Sequence, residues 1–343
     1  MEALVKKKAV VGLSLEEFRI PQLRQKDVLI KILRTSLCGT DLNIYEWDGE
    51  TESPIALPLV IGHEFVGEIV ELGSGVSDFN CGQIVSGETH LACGKCEPCR
   101  AGLSQQCASG LYTGINSPGA CAQYLALPTS ALWVHSPDID LDIATLFEPF
   151  GNAVNAATQY ELKDKSVLII GASAEGMMAA AVCRHLGAPC VAMVDTQYAK
   201  LQRALNLGAT HVINVDDENL GETMEIMGIH QGFDVCLEMS GNPEAYPLVF
   251  NHTKAEGEIV LVGILDTPQR MDWRSFIFKQ LTVKGIFGRK MPETWQRMAG
   301  LIKEGLDLEP IITKRIHYTQ YEEGFDALKR QAPGKVVMTW EAM

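Results

Sequence analysis

Cys93, Cys96, Cys99 and Cys107 are spaced C-x2-C-x2-C-x7-C in a polar stretch that also holds Gly94, Pro98 and Gly102. A loop of this composition shows no helical or strand period and carries too little apolar surface to order itself. Four thiolates closing a tetrahedron around one Zn2+ would order it, with about 10 kcal/mol or more of apparent binding energy. All four positions are then used, so the spacing points to a closed, structural metal site. Reduced free thiols are the competing reading, and an iron–sulfur cluster would call for other spacings.

A second set of residues suits an open metal site. Cys38, in Cys38-Gly-Thr-Asp41, follows a strand-like run, and His63, in Gly62-His-Glu64, precedes one. Glu148 adds a carboxylate in Phe147-Glu-Pro149, near the point in the chain where two domains are expected to join. A Cys and a His from separate strand ends, with a carboxylate as third partner, is how a catalytic zinc is held with one position free. Singly, each residue would be ordinary in a core; their joint occurrence with the four-cysteine loop is what carries weight. The other five cysteines, Cys81, Cys121, Cys183, Cys190 and Cys236, are expected to be small core residues.

The third feature is a turn. An apolar run at 165–170 leads into Gly171-Ala-Ser-Ala-Glu-Gly176, then an Ala- and Met-rich helical run, then a second apolar run ending in Asp195. Strand, glycine turn, helix, strand and terminal acid is the context of a dinucleotide fingerprint. Asp195 lies 19 residues after Gly176, near the spacing at which an acid takes the adenosine ribose 2′-OH. An acid there repels a 2′-phosphate, so NAD is expected rather than NADP. Ser173 stands where the pattern has its middle glycine, and a side chain there is expected to cost contact with the pyrophosphate. Glu175 adds a negative charge beside the phosphate region. Lys200 is a cation near enough in sequence to offset it. A strand–helix turn with no ligand is the competing reading.

These groups need two scaffolds. Runs at 27–35, 64–71 and 122–127 are β-like and bounded by turn residues, so the first 150 or so residues read as a β-rich domain. From there, apolar strands near 165–170, 190–194, 211–215, 234–239, 258–264 and 281–287 alternate with helical stretches. That pattern predicts a parallel sheet covered on both faces, an α/β fold. A last strand at 335–340 is predicted to rejoin the first domain. The expected division is 1–150 with 297–343, and 151–296.

Composition sets the outer bounds. Of 343 residues, 46% are apolar and 21% charged, as in a folded enzyme and unlike a disordered chain. The balance of 29 Lys+Arg against 43 Asp+Glu, net −14, argues against non-specific nucleic-acid binding, which needs a basic footprint. No stretch approaches the ~18 uninterrupted apolar residues of a membrane span. Lys6-Lys-Lys8 has no long apolar run behind it, so no export signal is visible, and ten cysteines read as metal ligands and core residues rather than disulfides. A cytoplasmic location is expected.

The chain resembles the zinc-dependent medium-chain alcohol dehydrogenases, and among them the L-threonine 3-dehydrogenases, over nearly its whole length. The resemblance rests on Cys38-Gly-Thr-Asp41, Gly62-His-Glu-Phe-Val-Gly67 and the four-cysteine loop. It extends through Glu148-Pro-Phe-Gly-Asn-Ala-Val154, Gly232-Phe-Asp-Val-Cys-Leu-Glu-Met-Ser-Gly241, Gly285-Ile-Phe-Gly-Arg289 and Glu293-Thr-Trp295. It implies a GroES-like β-rich catalytic domain, a doubly wound Rossmann domain, a homotetramer, NAD, and two zinc ions per chain, one catalytic and one structural.

The resemblance also assigns roles. Cys38 and His63 become catalytic zinc ligands, Glu64 a ligand or its exchanging neighbour, and Glu148 a direct or water-bridged ligand. Thr40 matches the hydroxyl that starts a proton relay, and the relay's usual terminal histidine is replaced by Asn43, an amide that takes up no proton near pH 7. His90, in Gly87-Glu-Thr-His90, matches a histidine near the substrate; a solvated loop histidine is the alternative. The implied reaction is oxidation of the secondary alcohol of L-threonine to 2-amino-3-oxobutyrate, with hydride passing to NAD+. Ser173 and Asn43 keep open a different alcohol: a polyol, a sugar alcohol or an amino-acid-like intermediate of a specialised pathway. A non-catalytic relative is the remaining alternative.

Overall fold

The computed structural model describes residues 1–47, 55–265, 267–330 and 334–341. They divide into two units: Met1–Pro149 with Lys290–Gln296 and Ile312–Met343, and Phe150–Arg289 with Arg297–Ile311.

The first unit is built around the strand Asp27–Leu37, whose residues 28–30 and 32–37 are mostly buried on both faces. Two shifts in its register against Glu64–Leu72 let one long strand serve several neighbours. It pairs antiparallel with Glu64–Leu72, with Tyr124–Pro128, and with the last strand, Lys335–Thr339, in register Val336↔Leu37. The resulting seven-stranded sheet brings residue 335 beside residue 64 across most of the chain. Val28, Ile30, Ile32, Leu37, Phe65, Ile69, Val336 and Met338 fill one continuous core.

The second unit carries a six-stranded, all-parallel sheet. Its order is His211–Asn214, Cys190–Asp195, Ser166–Ile170, Phe233–Glu238, Thr253–Leu261, Thr282–Gly285. In chain order that is 3-2-1-4-5-6, the doubly wound arrangement, with its switch point between Ser166–Ile170 and Phe233–Glu238. The helix Ala174–His185 has eight consecutive buried residues, Gly176 to Cys183. Small Gly and Ala let the neighbouring elements approach closely and the flexible Met side chains fill the remaining gaps, which suits the composition of that run.

Three details depart from the sequence reading. The segment 297–311 stays with the second unit, and 290–296 joins the first. Trp295 explains the latter: it is fully buried, donates to Glu88 Oε1 at 2.5 Å and packs on Phe147 with ring centroids 5.6 Å apart. Arg203 Nη1 donates to Pro310 O at 2.6 Å and fixes the other segment, so the return to the first unit comes at Ile312 rather than 297. Cys81 is exposed and Cys190 half-buried, whereas Cys121, Cys183 and Cys236 are core residues as expected. Cys81 sits in the turn before Gly82, where no apolar layer covers it. Among the described residues no helix is long and apolar enough to cross a membrane.

Candidate functional site

Cys38 directly follows the long central strand Asp27–Leu37 and is the N-cap residue of the helix Gly39–Glu46. Its N–H donates to Asp41 Oδ2 at 3.0 Å, which fixes the turn that presents the sulfur. Glu64 opens the neighbouring antiparallel strand with His63 just before it, so pairing of the two strands brings the three side chains together. One ligand atom from each lies within 4.8 Å of the others, and Cys38 Sγ is 3.3 Å from His63 Nε2. A tetrahedral zinc with ~2.3 Å to sulfur and ~2.0 Å to nitrogen would separate those atoms by about 3.5 Å.

The electrostatics also fit a cation. Burial, then the charges of Asp41 and Glu64, push the Cys38 thiol well above its ordinary range. A thiolate here needs a positive charge beside it, as Zn2+ supplies. Glu64 is buried, and burial pushes its carboxyl up while Lys335 pulls it down. Its Oε1 accepts from Lys335 Nζ and its Oε2 from Ser36 Oγ. Glu148 stands in the first turn of the helix Phe147–Ala157 and raises Glu64 further. It acts on Glu64 through charge but is outside the set whose ligand atoms converge within 4.8 Å.

The four loop cysteines also converge within 4.8 Å, as free thiols. Cys96 Sγ is 3.3 Å from Cys99 Sγ and 3.7 Å from Cys107 Sγ, and Cys93 N–H points at Cys107 Sγ at 3.3 Å. Backbone N–H groups of Lys95 and Cys96 draw Cys93 down to about 6, while desolvation and neighbouring sulfurs push Cys99 up to about 12. Four sulfurs this close, with backbone N–H groups aimed at Cys93, suit a closed tetrahedral zinc site.

In the second unit the fingerprint turn shows why two of its glycines are kept and one is not. Gly171 has φ +104°, in the region that favours glycine, and a Cβ on Gly176 would lie 2.0 Å from Gly171 O. Ser173 has φ −67°, which any residue adopts. Its hydroxyl accepts from Gly176 N–H at 3.1 Å and caps the helix. The serine side chain is thus turned onto the helix's own amide and occupies one N–H of the turn. Asp195 closes the next strand; Oδ2 accepts from Ala172 N–H at 2.8 Å and Oδ1 from Gln197 N–H at 3.0 Å. Those bonds aim the acid along the turn and leave further lone pairs for a hydroxyl. Lys200, half-buried, lies in the first turn of the helix Tyr198–Leu205.

Thr40 and Asn43 are exposed and three residues apart on the helix Gly39–Glu46, hence on one face. His90 belongs to the two-stranded pair His90–Leu91 and Leu111–Tyr112. Its ring stacks on Tyr112 with centroids 4.8 Å apart, and its Nε2 is buried without a partner. Burial lowers its pKa, so it is a neutral ring.

The sequence reading missed Ser36 and Lys335, which hold Glu64, and Asn152, whose Nδ2 donates to Glu175 Oε1 at 2.9 Å. A lysine opening an apolar strand was the signal available for Lys335, and Asn152 lies within Glu148–Val154, a segment of the resemblance; nothing local marks Ser36.

Comparison with known proteins places this geometry. The model described as alcohol dehydrogenase GroES-like domain matches residues 24–138, and that described as zinc-binding dehydrogenase matches 175–304. An L-threonine 3-dehydrogenase of Solibacter usitatus is 46% identical over 341 residues, 99% of this chain and 100% of the relative. One from Yersinia enterocolitica is 43% identical over the same spans. The crystal structure of galactitol-1-phosphate dehydrogenase from Escherichia coli superposes with a TM-score of 0.89 at 27% identity, covering 99% of this chain and 100% of that one.

Proposed function

The chain belongs to the zinc-binding alcohol dehydrogenases, and from that premise we propose that it oxidises the secondary alcohol of L-threonine to 2-amino-3-oxobutyrate with NAD+ as acceptor. The observation that carries this reading is full-length similarity to L-threonine 3-dehydrogenases together with convergence of Cys38, His63 and Glu64. When bound, zinc lowers the pKa of an alcohol and the nicotinamide takes the hydride.

The residues divide the remaining work. Cys38 and His63 hold the metal, with Glu64 as third ligand or as the group that exchanges with solvent. Glu148 adds negative charge beside Glu64. Cys93, Cys96, Cys99 and Cys107 hold a second, structural zinc. Thr40 Oγ1 accepts the alcohol's proton as it hands on its own. Asn43 holds the next hydrogen bond without accepting a proton, so the proton leaves Thr40 through water, which its exposure permits. His90, neutral and with Nε2 unpartnered, offers a hydrogen bond to substrate. The amides of the turn not already bonded to Val194, Asp195 and Ser173 face the pyrophosphate, Asp195 takes the ribose 2′-OH and thereby favours NAD over NADP, and Lys200 adds positive charge. We further propose a homotetramer in the cytoplasm.

Zinc-loaded protein with NAD+ should produce NADH from L-threonine more efficiently than from a panel of polyols. NADH from a polyol and none from threonine would overturn the substrate assignment. Asn43 favours that second reading, another secondary alcohol, because the relay lacks its usual proton acceptor.

A further inference from the structure

The fingerprint turn contains an apparent contradiction. The helix Ala174–His185 offers its N-terminal amides and dipole to an anion, yet Glu175 puts a carboxylate in its first turn. Left free, that carboxylate would be drawn to the same amides and would oppose a pyrophosphate arriving there.

It is not left free. Asn152 Nδ2 donates to Glu175 Oε1 at 2.9 Å, and Asn152 Oδ1 accepts from Arg289 Nη1 at 2.6 Å. The amide lies between a cation and an anion, and each bond polarises it to strengthen the other. Arg289 is 6% exposed, so its charge is poorly screened by water. A second observation shows that the place is built for it. Gly151 sits inside the helix Phe147–Ala157, where glycine costs about 1 kcal/mol relative to alanine. A Cβ there would lie 2.7 Å from both Cδ and Nε of Arg289. The glycine makes room for the arginine stem.

We propose that Asn152, backed by Arg289 and the gap at Gly151, is a positioning residue that pins Glu175 and couples its charge to the guanidinium, leaving the helix N-terminal amides that Ser173 does not cap open to the cofactor's pyrophosphate. The proposal rests on the reading of this turn as the dinucleotide site. It accounts for a sequence that keeps a carboxylate beside the phosphates: Glu175 is one end of a strut joining the fingerprint helix to the 147–157 helix.

The test is equilibrium binding of NADH, followed by its fluorescence, and of ADP-ribose and adenosine by calorimetry. The proteins are wild type, Asn152→Ala, Glu175→Gln and the double variant. Asn152→Ala should weaken NADH and ADP-ribose by about tenfold, the scale of a like charge left within a few ångströms of an anion in partly screened surroundings. Adenosine, which has no phosphate, should be bound unchanged. Glu175→Gln added to Asn152→Ala should restore most of the loss, and a merely structural defect would not be rescued by removing a charge. The Asn152→Ala penalty should shrink as salt is raised. Gly151→Ala, which displaces the guanidinium, should reproduce part of the loss. Unchanged NADH affinity in Asn152→Ala, an equal loss for adenosine, or no rescue in the double variant would each overturn the proposal. Wild-type protein that binds neither NADH nor ADP-ribose would instead overturn the dinucleotide reading and this inference with it.

Discussion

Replacing Lys335 by methionine tests whether the metal cluster depends on the last strand of the chain. Lys335 and Glu64 side chains are 4% and 2% exposed, and their ion pair is supplemented by the Ser36 hydroxyl on the other carboxylate oxygen. Removing one partner of a buried pair leaves an uncompensated charge and costs about 3–5 kcal/mol, although the intact pair adds little net stability. For a unit of this size that corresponds to a fall in melting temperature of about 6 °C or more. Methionine keeps the length and apolar body of lysine, so the loss isolates the charge. Glu64→Gln on top of Lys335→Met removes the stranded carboxylate and should recover most of the deficit.

The sign with pH is fixed as well. Lys335 pulls the Glu64 carboxyl down against the upward push of burial. Without the lysine, the folded variant holds a proton that the unfolded chain releases above the ordinary carboxylate range. Its stability therefore falls, relative to wild type, as pH rises through and above that range. Denaturation of metal-free wild type, single and double variants at pH 5 and pH 8 measures this, because a bound zinc would itself compensate the Glu64 carboxylate. A single variant as stable as wild type, a double no better than the single, or a deficit larger at pH 5 would refute the account.

Three further outcomes are expected. Asn43→His should raise threonine turnover near neutral pH by about tenfold or more, since general acid–base help is worth about 10²–10⁴ and water supplies part of it already; an unchanged or lower rate in steady-state assays would show that proton release is not limiting. Burial holds His135 down at about 4 against an ordinary 6.5, so its contribution to stability is complete above pH 6.5 and lost as pH falls toward 4. In denaturant titrations the stability of wild type relative to His135→Gln, which can still bond Ser86, should drop by about 2 kcal/mol between pH 7.5 and pH 5, and a pH-independent difference would count against it. Metal analysis should find about two zinc ions per chain, with Cys93→Ser and Cys38→Ser each losing a different one; loss of both from either single change would mean that the two sites are not independent.

What the sequence made legible, and what it hid, follows from how far each determinant reaches along the chain. The C-x2-C-x2-C-x7-C loop is its own site, so spacing alone brings its sulfurs within 4.8 Å. Cys38 and His63 lie 25 residues apart but flank the ends of adjacent strands, so two strand assignments were enough to place them together. The succession of apolar runs and helices likewise marked the doubly wound sheet, because each βα step is local. Lys335 reaches Glu64 across 271 residues. That contact exists only once the final strand lies against Asp27–Leu37, and no local pattern records which residue of a strand will face which.

Ser173 shows a different limit. A fingerprint is written in residue types, yet the physical requirement is a backbone angle or a distance. Gly171 meets a positive φ and Gly176 a 2.0 Å approach, while position 173 sits at φ −67°, so its backbone angle asks for no glycine and the pattern's demand there concerns only how closely a ligand can approach. A departure from the pattern is a defect only where the geometry behind the pattern applies. Asn43 does not have that excuse. The requirement at the end of a proton relay is a group that changes protonation near neutral pH, and no backbone arrangement gives that to an amide. Asn43 is where this chain departs chemically from the proton relay that the resemblance implies, so the Asn43→His comparison bears most directly on how the alcohol loses its proton.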